Sequence, residues 1–155
     1  MSFSIRMGNG EDASAIAEFQ LAMAWETEDK KLDLNVVQSA VRKVFQDATK
    51  GFYIVAESNA QVVAGLLITK EWSDWRDTDI WYIQSVYVVN EFRGQGIYKA
   101  MYRRIVELAK ENDVKHIRLY VETDNEKAQK VYEAIGMKKL PYLMYDAKVA
   151  DFKVV

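Results

Sequence analysis

The sequence predicts an α/β fold (an α+β mixed sheet) in a single domain over residues 1–155, with helices on both faces and the order β-α-α-β-β-β-α-β-α-β. Three observations carry this. Between Ile80 and Val89, β-branched and aromatic residues crowd together with no long polar interruption, the pattern of a buried strand. From Gly96 the period changes: Ile97, Met101, Ile105 and Leu108 fall at helical spacing, with Lys99, Arg103, Glu107 and Lys110 opposite. Half of the 155 residues are apolar and 28% are charged, enough to bury a core under a solvated surface.

Taken in order, Phe3, Ile5 and Met7 alternate with Ser4 and Arg6, a short strand ending at Gly8-Asn9-Gly10. Glu11 or Asp12 starts a helix with Ile16, Phe19, Met23 and Ala24 at helical spacing, running to about Trp25. Glu26 to Lys31 is charged and aperiodic, which reads as a loop. A second helix opens at Leu34-Asn35, places Val37, Val41, Val44 and Phe45 on one face, and takes Gly51 as its C′ residue. Phe52 to Ala56 and Val62 to Ile68 read as strands of a hairpin turning around Glu57-Ser58-Asn59-Ala60. Lys70 to Asp79 has no period and reads as a loop carrying Trp72, Trp75 and the acids Glu71, Asp74, Asp77 and Asp79.

After the long helix, which Asn112-Asp113 ends, Ile117, Leu119 and Val121 alternate with Arg118, Tyr120 and Glu122 in a strand. Thr123-Asp124-Asn125 supplies caps for a short helix with Ala128, Val131, Tyr132 and Ile135 on its apolar face, stopping at Gly136. Beyond Pro141, the run Tyr142-Leu143-Met144-Tyr145 predicts a last strand, and Lys148 to Val155 fits a strand or a tail. No repeat, low-complexity segment or linker suggests a second domain.

A net charge of −2 offers no whole-surface attraction for nucleic acid or anionic lipid. With no cysteine and one histidine, His116, there is little material for a metal centre or a nucleophilic triad, so no metal is expected. His116 itself reads as a surface or strand-edge residue. Met1 to Gly10 has neither a basic start nor an apolar run, and no stretch reaches membrane-spanning length, so a cytoplasmic protein is expected.

Between the central strand and the long helix stand Arg93, Gly94, Gln95 and Gly96. Such a turn presents backbone N–H groups at a helix N-terminus, where the dipole favours an anion and glycines let it approach; two glycines before a helix can equally be a turn and nothing more. The run Arg93-Gly94-Gln95-Gly96-Ile97-Tyr98 resembles the R/Q-x-x-G-x-G/A acyl-coenzyme A signature of the GCN5-related N-acetyltransferases (GNAT). Asn125-Glu126-Lys127-Ala128-Gln129-Lys130-Val131-Tyr132-Glu133-Ala134-Ile135-Gly136-Met137 is similar to that family's N-x-x-A-x-x-x-Y-x-x-x-G-F/M motif. The resemblance runs from about Gly65 to Met137.

The resemblance implies the GNAT acyl-CoA N-acyltransferase fold and acetyl-CoA as acyl donor. It places a pyrophosphate on the amides of Gly94, Gln95, Gly96, Ile97 and Tyr98, with Arg93 or Lys99 adding charge. Tyr98 departs from the small residue of the family pattern. The pantetheine arm is implied along Val86, Tyr87 and Val88, with a main-chain donor near Val86 for the oxyanion. Asn125 is implied at the arm, and its other role is a helix cap. Tyr132 is implied as the proton donor to the leaving sulfur, and its position on an apolar stripe fits a core residue too.

Many relatives carry a glutamate on the central strand where this chain has Gln84 and Ser85, which suit holding a water or the substrate. The general base is then sought among Glu26, Glu28 and Asp74, with Glu26 first because neighbouring Trp25 would raise its pKa. Trp72 and Trp75 beside Asp74 suit an amine-bearing substrate, and packing of their loop or a dimer contact explains them as well. The function implied is an acetyl-CoA-dependent N-acetyltransferase acting on a primary amine of a small molecule or peptide in a ternary complex. The alternative is an inactive acyl-CoA-binding regulatory or interaction module. Neither nucleic acid nor membrane is expected as a partner, and the apolar C-terminal strand with family habit makes a homodimer plausible.

Overall fold

The computed structural model describes residues 2–153. They form two compact units, one ending at Tyr120 and the other beginning at Val121. The first unit is built on a mixed sheet of β1 (Ser4–Met7), β2 (Phe52–Ser58), β3 (Gln61–Ser73), β4 (Thr78–Val88) and β5 (Ile117–Arg118), in that spatial order. The first three pairings are antiparallel, and β5 runs parallel to β4.

Helices cover both faces because β2 alternates. Tyr53 and Val55 cluster with Ile16, Ala17 and Val41 of α1 (Ala13–Glu28) and α2 (Leu34–Gln46). Ile54 and Ala56 share the other cluster with Ile97, Met101 and Ile105 of α3 (Ile97–Glu111). Met101 and Ile105 are fully buried, each such side chain contributing roughly 1.5–3 kcal/mol by leaving water. That apolar stripe holds the N-terminus of α3 against the end of β4, where the anion turn was expected. The β2–β3 hairpin turns at Asn59 and Ala60, both left-handed at φ 49° and 59°, as a tight two-residue turn requires. The second unit contains α4 (Glu126–Ala134), started by the Asn125 side chain accepting from the Ala128 amide at 3.0 Å.

Several boundaries differ from expectation. The first helix continues past Trp25 to Glu28, so Glu26 is helical rather than in a loop: Thr27 Oγ1 bonds back to the Met23 carbonyl, and left-handed Asp29 closes the helix. Gly51 is not a helix C′ residue, since α2 ends at Gln46 and an Asp47-centred turn intervenes. The expected loop from Lys70 to Asp79 is instead the far end of the β3–β4 hairpin, with Trp72 opposite Asp79 and Ser73 opposite Thr78. Lys70, Glu71 and Trp72 are exposed there, and a strand end with no buried face needs no apolar alternation. Ladder pairing of β5 stops at Arg118. Tyr142 to Tyr145 forms no strand among the described residues and is largely exposed, with Leu143 at 81%; an apolar run reads as a strand in sequence but becomes one only beside a partner. Beyond a short turn at Val149–Asp151, Val154 and Val155 lie outside the described residues.

One partly buried ion cluster locks the start of α1 to the sheet. Arg6 on β1 donates to both Asp12 carboxylate oxygens, at 2.8 and 2.9 Å, and to Glu57 Oε2 on β2 at 2.7 Å. Asp12 is only 4% exposed. Burial alone raises its carboxyl pKa, but the bonds from Arg6 and the Asn9 amide outweigh it and hold the group below its ordinary value. A folded-state pKa below the unfolded one means stability present above the unfolded pKa and lost as pH falls through the folded one. Arg6→Met strands the Asp12 charge and is expected to cost about 3 kcal/mol at neutral pH. The deficit should shrink on acidification toward about pH 4, where Asp12 can protonate. Urea midpoints at the two pH values check this, and a pH-independent deficit would contradict it.

Candidate active site

The turn between β4 and α3 has the geometry of an anion cradle. Gly94 and Gly96 take left-handed conformations, φ 75° and 81°, and a Cβ built on either meets nothing within 4 Å. Gly96 is the N-cap of α3 and offers no side chain to its first turn. Among the described residues, no backbone acceptor takes the amides of Gly94, Gln95, Gly96 or Ile97, so donors at the positive end of the helix dipole are left for an outside ligand. The Gln95 side chain bonds instead to the Glu91 carbonyl at 2.9 Å. Such an open, donor-rich turn suits an anion.

The strand leading into the turn pairs with β5 over a short stretch only. β5 pairs with β4 only at Trp81–Ile117 and Tyr82–Arg118. From Ile83 to Val88 the edge of β4 on that side has no ladder partner among the described residues, which leaves main-chain groups for an extended ligand. Val86, Tyr87 and Val88 lie on this stretch. On the other side the β3 register slips: Leu67 faces Gln84, but Gly65 faces Tyr87, so Ser85 and Val86 bulge opposite Leu66. Ser85 is left-handed at φ 53°. Phe19 packs over Gly65, whose built Cβ would lie 3.6 Å from Phe19 Cδ2, and stacks on Tyr87 at 5.2 Å. A lone glycine inside the apolar run from Val62 to Ile68 was the sequence signal for this irregularity.

Glu26, Tyr87 and Arg93 meet beside the bulge. The Tyr87 hydroxyl donates to Glu26 Oε1 at 3.0 Å, and Arg93 Nη2 donates to Glu26 Oε2 at 2.7 Å. Arg93 Nε also donates to the Val88 carbonyl at 2.8 Å, and the guanidinium lies 5.3 Å from the Tyr87 ring centroid. The hydrogen bond from Arg93, with further help from Tyr87, holds Glu26 below its usual carboxylate range despite some desolvation. This corrects the expectation of a raised pKa beside Trp25, which is itself 60% exposed. Arg93 is bonded to protein groups rather than extended toward the turn.

Residues 15–137 match the model of the Acetyltransferase (GNAT) family. The chain belongs to that family. It is 38% identical, with a TM-score of 0.88, to the crystal structure of a possible acetyltransferase from Clostridium difficile 630, covering 96% of this chain and 99% of that one. A predicted acetyltransferase from Clostridium acetobutylicum, solved with acetyl-CoA, shares the fold at TM-score 0.78 and 19% identity, covering 97% of this chain and 99% of that chain. The thialysine N-epsilon-acetyltransferase of Bos taurus is 33% identical over 69 residues, 44% of this chain and 40% of the relative. The chain thus matches under half the length of that curated relative.

Other residues that the GNAT resemblance or the sequence suggested fall in five places. Gln84 Nε2 bonds to Thr69 Oγ1 at 2.6 Å, next to the bulge at Ser85. Trp72 and Trp75, 61% and 88% exposed, sit at the opposite end of the hairpin. Trp72 pairs with Asp79, roughly 20 Å from Ser85 along the strand at about 3.3 Å per residue. Asp74 shares that remote tip, and Glu28 pairs with Lys30 at 3.1 Å. Exposed Lys99 lies in the first turn of α3. In the second unit, Asn125 caps α4, and burial raises the Tyr132 phenol above its ordinary pKa. Among the described residues, no helix is long and apolar enough to cross a membrane.

Proposed function

We propose that this GNAT-family chain is an acetyl-CoA-dependent N-acetyltransferase acting on a primary amine of a small molecule or peptide, by direct attack in a ternary complex. The observation that carries it is the continuity of the unpaired β4 edge with unbonded amides at the mouth of α3. In this reading the amides of Gly94 to Tyr98 hold the diphosphate, with Lys99 adding charge, and the main chain of Val86 to Val88 receives the pantetheine arm. Bound acetyl-CoA supplies a thioester whose carbon–sulfur bond breaks as its acyl carbon bonds to the amine nitrogen.

The Val86 amide serves as oxyanion donor beside the bulge. Tyr132, a phenol that is protonated at neutral pH, gives its proton to the departing sulfur. Asn125 orients the start of α4 and contacts the arm. The amine loses its proton to water held near Gln84 and Ser85. The 33% identity over 69 residues to the bovine thialysine enzyme supports a lysine-like amine, and Trp72 and Trp75, remote from Ser85, fit the outlying part of a peptide. A cytoplasmic, homodimeric protein, with the exposed Leu143 to Tyr145 region as the dimer contact, completes the reading, and light scattering tests the last point.

Tyr132→Phe is expected to lower turnover about 100-fold while acetyl-CoA affinity stays within about twofold, as read by thiol release and calorimetry. Normal turnover in that variant would remove Tyr132 from the chemistry. A second reading, an acyl-CoA-binding module without catalysis, is favoured by the Gln84–Thr69 bond and the ion-paired Glu26, since neither side chain is poised as a base. Cofactor binding with no thiol release across a broad amine panel would select it.

A further inference from the structure

Resting on the cofactor assignment above, we infer that Glu26 is a positioning residue that fixes the diphosphate-binding turn through Arg93, rather than the general base. The carboxylate divides its oxygens, one accepting from the Tyr87 hydroxyl and the other from Arg93. Arg93 spends Nε on the Val88 carbonyl, so a single guanidinium ties the last residue of β4 to the last turn of α1. Its flat face is backed by the Tyr87 ring, which Phe19 of α1 backs in turn.

Arg93 immediately precedes Gly94. The two glycines of the turn have no side chains, and their built Cβ positions touch nothing, so packing does little to restrain Gly94 to Gly96. Together with the bond from Gln95 to the Glu91 carbonyl, the Arg93 anchor holds that segment in one conformation. A donor array already in place binds more tightly than one ordered at the moment of binding. The pair is partly exposed, at 45% and 36% for the two side chains, and such pairs add little to fold stability. Its effect should therefore appear in the turn and in cofactor affinity, with the unfolding midpoint nearly unchanged.

The test compares wild type, Glu26→Gln, Arg93→Gln and the double variant. In the cofactor-free protein, amide hydrogen exchange at Arg93 and Ala100, whose N–H groups bond to the Asn90 and Gly96 carbonyls on either side of the turn, is expected to quicken in Glu26→Gln without a global loss of protection. Calorimetry with acetyl-CoA should show about tenfold weaker binding for either single variant, and the double variant no weaker than Arg93→Gln alone, because the two act through one contact. Turnover of Glu26→Gln at saturating cofactor should fall by less than about threefold, where loss of a general base removes roughly 100-fold or more. Unchanged exchange, additive losses, or normal affinity with a large drop in turnover would each overturn the inference. Failure of wild type to bind acetyl-CoA would overturn the cofactor assignment instead, and the exchange result would still judge the Glu26–Arg93 anchor by itself.

Discussion

A Gly96→Val variant is expected to fold and to lose acetyl-CoA binding. At φ 81° the position is left-handed, and a side chain there costs about 1–2 kcal/mol, which a domain of this size can absorb. Space is not the obstacle within the protein, since a Cβ at Gly96 meets no atom within 4 Å. That emptiness is the open mouth of α3, where the diphosphate is proposed to sit. A branched side chain would stand between the ligand and the amides of Gly96 and Ile97, and affinity should drop about 100-fold, near 2.7 kcal/mol. Calorimetry reads the affinity and a urea titration reads the fold. A well-folded Gly96→Val protein with wild-type affinity would show that the phosphates bind elsewhere.

Gly51→Ala is expected to have the largest effect on stability. Gly51 has φ 133°, and its built Cβ would lie 2.0 Å from the Ile68 carbonyl oxygen and 3.1 Å from the Ile68 carbonyl carbon. Both are main-chain atoms of β3, and no side-chain rotation can relieve the clash. Phe52 pairs with Ile68 in the ladder that begins at the next residue, so relief must come from parting β2 and β3 at that end. Backbone strain of about 1–3 kcal/mol adds to the lost pairing, and the total should reach roughly 4 kcal/mol. The unfolding temperature would fall by about 8–16 °C at the usual 2–4 °C per kcal/mol. A loss below about 1 kcal/mol, measured in urea, would show that the Asp47 turn can back away from the sheet.

Gly51 also shows how far sequence reasoning reaches. A glycine with positive φ is expected there as the C′ residue of an amphipathic helix, and the residue does carry a positive φ although the helix ends at Gln46. The reason differs: the constraint comes from Ile68, a neighbour in space that no local pattern reveals. The opposite case is Asn125, whose capping role is read from its place before an apolar helical stripe and found in the bond to the Ala128 amide. The hairpin of Trp72 and Trp75 was misread because periodicity reports which face is buried, and that strand end buries neither.

The sequence by itself determined the turn at Gly94 to Gly96, the amphipathic α3 behind it, and membership of a family that uses such turns, because period, capping and a demand for positive φ are properties of adjacent residues. Only the tertiary structure decided what Glu26 does. Its partner Arg93 is 67 positions away in the chain, and a carboxylate's protonation is set by the charge beside it rather than by the tryptophan that precedes it in sequence. The same holds for the free edge of β4: a strand's residues say that it will pair, and the neighbouring strands decide where pairing stops.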